Sequence, residues 1–148
     1  MLMGTSTANA DADDEAVLQN YVIISTIEVP DQGAPDPQKF NAQTGEIGGH
    51  GASDETFEYK VIQKMCHPGD VNKARYMPQN PDIIATMSGD GNSYIFDRTK
   101  HESMPKPGQD QYDAKLVGHT GEGYGLSWNF HREGQLATGT EDTTVRIW

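Results

Sequence analysis

The sequence lacks the residues on which disulfide-bonded and membrane proteins depend. Cys66 is the only cysteine among 148 residues, so no internal disulfide can form, and this scarcity is typical of a reducing compartment. No run of about 18 apolar residues is present, so no segment is predicted to cross a membrane. The stretch from Met1 to Gly4 is too short and too uncharged to open a signal peptide.

Basic residues are also scarce, with 11 Lys and Arg against 22 Asp and Glu and a net charge of −11. An acidic surface repels phosphate backbones, so we expect no direct nucleic-acid binding. The same charge suits a basic partner, although solubility alone explains it equally well. The 5 histidines show no paired metal-ligand spacing, and one cysteine does not make a zinc site. We therefore expect neither a metal ion nor a cofactor.

Glycine and proline are plentiful, with 16 and 8 residues, whereas only 34% of the residues are hydrophobic. This composition is more typical of many short strands than of long helices. Val17 to Val29 is apolar and β-branched and predicts a buried strand, and the alternation over Phe57 to Val61 predicts a half-exposed one. We interpret the alanine-acid run Ala8 to Ala16 and the Pro/Gly-rich stretch Asp31 to Asp54 as exposed loops.

The strongest signal is an internal repeat. Displacing the sequence by 52 residues aligns six identical residues within a window of thirty. The identical pairs are His67 with His119, Gly69 with Gly121, Ala85-Thr86 with Ala137-Thr138, Asp90 with Asp142, and Ile95 with Ile147. Such self-similarity indicates a repeat architecture, and the repeats of propellers are usually about 40–45 residues long. We expect the residues by which the 52-residue offset exceeds this length to lie in the Pro/Gly-rich loop Thr99 to Asp113.

Each repeat is predicted to form three strands joined by polar turns. In the second repeat Gly118-His119 is followed by strands over Tyr124 to Trp128, Gln135 to Gly139 and Thr144 to Trp148. This order of a Gly-His pair, three strands and a closing tryptophan is that of a WD repeat. In the first repeat, Gly89-Asp90-Gly91-Asn92 predicts a hairpin turn in which the glycines supply positive φ.

We therefore predict an all-β fold, a WD-repeat β-propeller fragment of about two blades with strands of a further one. Residues 1–56 are expected to form a partial blade with long loops. Residues 57–97 are expected to form the first WD repeat, and residues 98–148 the second, truncated at its tryptophan.

Polar residues at fixed positions in each repeat allow two interpretations. His119, Ser127 and Asp142 could form a hydrolase site. We favour a structural network, in which histidine, aspartate, threonine and an indole N–H satisfy one another inside a blade. Its predicted members are His119, Asp142, Thr138 and Trp148 in the second repeat, and His67, Asp90, Thr86 and the donorless Phe96 in the first. We accordingly assign no catalytic residue.

An acid follows each repeat histidine, with a polar or aromatic residue two positions later. These pairs are Asp70 with Asn72 and Glu122 with Tyr124. Residues i and i+2 point to the same side of an extended chain, and the 52-residue offset places the pairs at equivalent points of neighbouring blades. The sequence thus predicts an acidic peptide-binding site on one rim of the propeller, where carboxylates pair with Lys or Arg.

Longer runs of residues carry a family resemblance. They are Asp70 to Pro81 with Ile83 to Thr86 after it, Phe96 to His101, and Gly118 to Asn129. These runs resemble the retinoblastoma-binding histone chaperones, a family that includes the small subunit of chromatin assembly factor 1 and the accessory subunit of the type B histone acetyltransferase. The resemblance is dense from Lys60 to Trp148 and looser over Leu2 to Gly51.

The resemblance implies a seven-bladed propeller that serves as a non-catalytic subunit of chromatin assembly, histone acetyltransferase or deacetylase, or Polycomb-type complexes. It implies other chromatin-complex subunits as partners and a nuclear location, with the cytoplasm as the alternative. It assigns the histone H3 tail and similar basic peptides to Asp70, Asn72, Glu122 and Tyr124. Asp70 departs from the family, which usually has glutamate there. The family's N-terminal helix and late acidic loop fall outside the sequence, so we expect its H4 groove to be absent.

Two alternatives stay open at this point. A general WD-repeat scaffold would recruit partners through other faces without binding histones, and an H3-tail affinity unchanged by Asp70→Ala and Glu122→Ala would favour it. A hydrolase that used His119 and Ser127 would lose turnover but keep its fold when His119 is mutated.

Two repeats leave open sheet edges, and about three repeats are usually needed for a stable array. We therefore predict that the isolated 148-residue chain does not fold stably on its own. Circular dichroism on heating, with sedimentation to establish the monomer, should show a broad transition. A sharp cooperative melt of the monomer would contradict this prediction.

Overall fold

A computed structural model of the chain describes residues 1–6, 19–28, 40–47 and 58–148. The predicted loop over Ala8 to Ala16 lies outside these residues, as do Val17, Val29 and Phe57 at the ends of two predicted strands. The chain divides into two compact units, one formed by Met1–Ser25 with Val61–Trp148 and the other by Thr26–Lys60.

The described residues form short strands throughout. The strands are β1 (Leu2–Gly4), β2 (Asn20–Glu28), β3 (Phe40–Asn41), β4 (Glu46–Ile47), β5 (Glu58–His67), β6 (Val71–Tyr76), β7 (Ile83–Ser88), β8 (Ser93–Asp97), β9 (Ala114–Leu116), β10 (Gly123–Trp128), β11 (Leu136–Thr140) and β12 (Val145–Ile147). One 3-10 turn, Arg98–Lys100, is the helical content of these residues. None of their helices is long and apolar enough to cross a bilayer. The predicted all-β fold is confirmed.

The strands pair mostly with their neighbours along the chain. β1, β2 and β5 form a first sheet, β6 to β9 a second, β10 to β12 a third, and β3 pairs with β4. The second sheet is a four-stranded antiparallel meander, as in a propeller blade. Its fourth strand, β9, comes from the predicted second repeat, residues 98–148, and β5 of the predicted first repeat lies in the first sheet. The sheets are therefore offset from the sequence repeats.

Strand β7 is buried on both of its faces. Ile84 belongs to a core cluster with Val22 and Met65 of the first sheet. Its neighbours in sequence, Ala85 and Met87, belong to a second cluster with residues of the third sheet. Successive strand residues point to opposite faces, and every residue of β7 after Ile83 is buried, so β7 contributes buried side chains to both of its faces. Burial of side chains of this size stabilises the fold by roughly 1.5–3 kcal/mol each.

Three local expectations need correction. Within the predicted long loop over Asp31 to Asp54, the described residues 40–47 form the β3–β4 hairpin, whose turn has Gly45 at φ 74°, and the rest of that loop lies outside the described residues. The predicted loop Thr99 to Asp113 starts inside the 3-10 turn, because the carboxylate of Asp97 accepts from the backbone N–H of Thr99. In the turn between β7 and β8 only Gly91, and not Gly89, has a positive φ.

Glycines allow the turns of neighbouring sheets to touch. A β-carbon at Gly91 would lie 2.6 Å from the carbonyl oxygen of Gly121. A β-carbon at Gly121 would lie 2.8 Å from the backbone nitrogen of Asp142. The loop between β9 and β10 therefore lies tightly between the β7–β8 turn and the β11–β12 turn, with no room for a side chain at either contact.

This packing predicts unequal costs for two glycine substitutions in the full-length protein. Gly134 has φ 75° and open space around it, so Gly134→Ala should cost only the left-handed strain of a β-carbon, roughly 1–2 kcal/mol. Gly91→Ala, at φ 81°, should cost more, because the Gly121 carbonyl must also shift. Urea unfolding measures both costs, and equal losses would contradict the proposed contact.

Candidate functional site

A hydrogen-bonded chain of four polar groups connects β11 of the third sheet with the segment before β10, the β11–β12 turn and the residue after β12. Nε1 of Trp148 donates to Oγ1 of Thr138 at 2.8 Å, and that oxygen lies 2.7 Å from Nε2 of His119. Nδ1 of His119 lies 3.0 Å from Oδ2 of Asp142. The structure thus brings together the four residues that the repeat predicts for this network. Because Thr138 and His119 are buried, these bonds satisfy polar groups that water does not reach.

Asp142 ties this network to the backbone. Its carboxylate accepts hydrogen bonds from the backbone N–H groups of Thr120 and Thr144 at 3.0 and 2.9 Å. Hydrogen bonds from Thr140 and Thr144 hold the pKa of Asp142 well below its usual range. The group is therefore an ionised acceptor near neutral pH, and it fixes the start of the loop between His119 and β10.

The equivalent histidine of the second sheet is satisfied in another way. Nε2 of His67 lies 2.9 Å from Oγ1 of Thr86, but Nδ1 lies 2.8 Å from the carbonyl oxygen of Gly69. A carbonyl only accepts, so Nδ1 carries the proton, and burial lowers the pKa of His67. Phe96, which has no donor, stacks on the imidazole with ring centroids 5.7 Å apart. His67 is therefore a neutral, buried residue of the core.

Asp90 does not occupy the place that the repeat predicts for it. Its carboxylate accepts from the backbone and side-chain N–H groups of Asn92 and from the hydroxyl of Tyr94, the last at 2.7 Å. The Gly69 carbonyl is hydrogen-bonded to Nδ1 of His67, whereas the carboxylate of Asp142 is the partner of Nδ1 of His119. The prediction of Asp90 as a partner of His67 is therefore corrected.

Ser127 lies apart from the His119 ring. In the antiparallel pairing of β10 with β11, Leu126 is opposite Thr138 and Ser127 is opposite Ala137. Cross-strand partners share a face and successive residues alternate, so Ser127 points away from Thr138 and His119. The hydroxyl oxygen that is hydrogen-bonded to Nε2 of His119 is that of Thr138. The geometry thus does not assemble the Ser127–His119 pair that a hydrolase would need.

Four residues predicted to bind peptides form the edge where β6 and β10 begin. We call this surface the acidic edge, and it consists of Asp70, Asn72, Glu122 and Tyr124. The register of β6 with β7 slips at Asn72, and that of β10 with β11 slips at Tyr124. Each is thus the extra residue of a β-bulge, a device that re-aims a side chain and is frequent beside functional sites.

Glu122 is the centre of the acidic edge. Its Oε1 atom accepts from Nδ2 of Asn72 at 2.9 Å and from the hydroxyl of Tyr124 at 2.8 Å. Its backbone carbonyl accepts from the N–H of Glu141 at 2.8 Å, in the β11–β12 turn. The two predicted pairs are therefore joined across neighbouring sheets, since Asn72 comes from one and Glu122 from the other.

Hydrogen bonding dominates the electrostatics of this carboxylate. The bonds from Tyr124 and Asn72 lower the pKa of Glu122, against an opposing repulsion from Asp70. The bond to Glu122 raises the pKa of the Tyr124 hydroxyl, so it stays a donor at neutral pH. Two acids therefore share a small, partly exposed surface on which Glu122 is ionised. No cluster suited to a metal ion occurs among the described residues.

Two further residues at this site were not predicted from the sequence. Nδ2 of Asn20 donates to Oδ1 of Asp70 at 3.0 Å, across 50 positions of sequence. Gly89 lies beneath the other side chains, since a β-carbon there would come within 4.0 Å of Asp70, Asn72 and Glu122. No local pattern signals Asn20, and Gly89 is noticeable only as part of a turn motif.

Known proteins match the whole chain. No protein-family model matches it. It is 49% identical to histone acetyltransferase type B subunit 2 of Aspergillus fumigatus and 48% identical to the protein of that name in Gibberella zeae, each over the full chain. The protein of that name in Neurospora crassa is 46% identical. The chain spans about a third of the length of these curated relatives, 32–33%.

The buried network predicts that Thr138 is needed for stability. Thr138→Val removes the hydroxyl and leaves the Trp148 indole N–H and Nε2 of His119 without that partner. The unfolding free energy should fall by about 1–3 kcal/mol, whereas Thr138→Ser, which keeps the hydroxyl, should lose clearly less. Urea unfolding of the full-length protein makes the comparison, and a Val variant as stable as the Ser variant would contradict it.

Proposed function

Because the chain belongs to the same family as the histone acetyltransferase type B subunit 2 proteins, the retinoblastoma-binding histone chaperones, we propose that it is part of a non-catalytic histone-binding subunit. In this proposal the acidic edge docks the basic tail of histone H3. The observation that carries the proposal is the Glu122 carboxylate, which Asn72 and Tyr124 hold in place from two neighbouring sheets.

The geometry supports binding of a cationic side chain. Oε1 of Glu122 accepts two hydrogen bonds, and Oε2 accepts none from the described residues. A ligand ammonium or guanidinium group would donate to Oε2 in a charge-assisted bond. Asp70 adds a second negative charge nearby, close enough to oppose ionisation of Glu122. A basic ligand removes this repulsion, so binding lowers the free energy of the acidic pair as well.

Tyr124 supplies the apolar part of the proposed contact. The side chain is 54% exposed although its hydroxyl is held by Glu122. A ring fixed at one end and open on its face can pack against the alkyl stem or the cation of a Lys or Arg residue. Since the bulge at Tyr124 fixes where the ring points, little side-chain entropy is lost on binding.

The absence of a catalytic role is part of the same proposal. Both ring nitrogens of His119 are hydrogen-bonded within the blade, and Ser127 lies on the other face of its strand.

We further propose that the protein serves chromatin assembly, acetyltransferase, deacetylase or Polycomb-type complexes in the nucleus. A scaffold without histone binding is the alternative, and the experiment below separates the two.

Titration of an H3 tail peptide into the full-length protein tests the proposal. Glu122→Ala should weaken binding by about tenfold or more, since a hydrogen bond to a charged group contributes about 1.5–3 kcal/mol. Glu122→Gln keeps the shape and should lose the charge-dependent part, with a weaker dependence of affinity on salt. Asp70→Ala should weaken binding as well.

The matched control is Glu133→Ala. Glu133 is an exposed acid in the β10–β11 connection, outside the acidic edge. Its removal changes the net charge by the same amount as Glu122→Ala, so a general charge effect would weaken binding equally in both variants. Unchanged affinity in Glu122→Ala and Asp70→Ala would overturn histone binding at this edge and favour the scaffold.

A further inference from the structure

A groove lies where β6 and β10 end, opposite the acidic edge at which the same two strands begin. Its cavity has a volume of about 580 Å³ and is lined by Leu2, Ala74, Arg75, Tyr76, Pro78 and Phe130. Glu122 precedes β10, and Phe130 follows it. Asn72 lies near the start of β6 and Tyr76 ends it, so these two residues are roughly 13 Å apart along the strand. We call this surface the apolar groove, and it is separate from the acidic edge.

Large apolar side chains are exposed along this groove. Phe130 is 74% exposed, and Tyr76 is 58% exposed. A smaller apolar cavity shares Leu2 and Tyr76 with the groove and continues it over Pro81 and Ile84. Exposed apolar side chains that adjoin one another mark interaction sites, whereas isolated ones need no explanation. The residues of the groove come from β1, β6 and the segments after β6 and β10, so the groove crosses from the first sheet to the third.

Phe130 is presented on a turn that hydrogen bonds hold in place. Oδ1 of Asn129 accepts from the backbone N–H groups of His131 and Arg132 at 2.8 and 3.0 Å. The carbonyl oxygen of Asn129 accepts from Nε2 of Gln79 at 2.9 Å. An aromatic side chain on a fixed turn loses little entropy when a partner covers it. Aromatic anchors of this kind contribute much of the binding energy of protein interfaces.

The groove carries basic charge, although the chain as a whole is acidic. Arg75 is the only charged residue among the described ones that line it. Its Nη1 atom donates to the carbonyl oxygen of Ala74 at 2.8 Å, and no described carboxylate forms an ion pair with it. Lys73 lies on the same face of β6, lines an adjoining cavity and likewise has no acidic partner among the described residues. Two cations therefore border the exposed apolar side chains.

We propose that the apolar groove is a docking surface for another subunit, and that the segment it binds is acidic with a large apolar side chain as its anchor. The anchor packs between Tyr76 and Phe130, and carboxylates beside it pair with Arg75 and Lys73 in charge-assisted bonds. This inference goes beyond the proposed function, because the ligand is opposite in charge to a histone tail. A second copy of this chain fits less well, because a symmetric contact would bring two Arg75 side chains together.

A selection of random dodecapeptides on phage, with the full-length protein as the immobilised target, tests this inference. The acidic edge should select basic peptides, whereas the apolar groove should select peptides in which Asp or Glu flanks Leu, Phe or Trp. Affinity of the acidic peptides should fall about tenfold or more in Phe130→Ala, the loss expected for an interface anchor. Arg75→Met should weaken them as well and reduce the salt dependence of their binding. Glu122→Ala should leave their affinity unchanged.

Two matched controls lie outside the groove. Phe40 is 55% exposed in the β3–β4 hairpin, so Phe40→Ala removes an exposed ring of the same kind. Lys106 is exposed, and Lys106→Met removes the same charge as Arg75→Met. Both controls should keep the affinity of the acidic peptides. If no acidic class of peptide is enriched, or if its affinity is the same in Phe130→Ala as in Phe40→Ala, the docking surface is wrong. An equal loss in Arg75→Met and Lys106→Met would overturn the assigned role of Arg75.

Thermal unfolding of the full-length variants separates docking from burial. Phe130→Ala should keep the midpoint of the unsubstituted protein, because removal of an exposed ring leaves no cavity. A lowered midpoint would mean that another part of the full-length chain covers Phe130, and this would overturn the docking surface. None of these outcomes decides whether the acidic edge binds H3, since that function is tested with Glu122→Ala and Asp70→Ala.

Discussion

The acidic edge depends on a hydrogen-bonded chain that joins the strands of the third sheet to the segments beside them. Trp148, Thr138, His119 and Asp142 satisfy one another in that order, and Asp142 then binds the backbone of Thr120. Two residues later comes Glu122, whose carbonyl accepts from the turn that carries Asp142. The position of the Glu122 carboxylate is therefore set by a buried network. Such networks are rigid when every member is satisfied, so the group that we propose to bind a peptide is held in place in advance.

The second sheet shows that the same repeat can satisfy its histidine without this chain. Phe96 stands where Trp148 stands in the third sheet, and a stacking contact replaces the indole hydrogen bond. The Gly69 carbonyl is hydrogen-bonded to Nδ1 of His67, and Asp90 instead accepts a hydrogen bond from the hydroxyl of Tyr94. The histidine keeps its place in the fold while its partners change. The histidines of the two repeats are thus both buried, although one of the hydrogen-bond partners differs between them.

Periodicity predicted much of this structure because the all-β fold follows from local rules. The strands β10, β11 and β12 lie within about a residue of their predicted bounds, and the 52-residue offset correctly brought Asn72 and Glu122 together. What the sequence could not supply were the relations across sheets that lie outside this repeat offset. Asn20 contacts Asp70 over 50 positions, and β9 joins a sheet that precedes its own repeat. The bulges at Asn72 and Tyr124 also left no local signal.

Strand β7 has a consequence for how the molecule responds to perturbation. Ile84 on one face belongs to one core cluster, and Ala85 and Met87 on the other face belong to the next, so a single strand of six residues is shared by two cores. Loosening of either neighbouring sheet exposes one face of β7 and weakens its hold on the other. Order should therefore pass from blade to blade through contacts between nearest neighbours, as in other repeat proteins. A peptide bound at the acidic edge, as we propose, would contact the second and third sheets and stabilise their packing by binding only when both are in place.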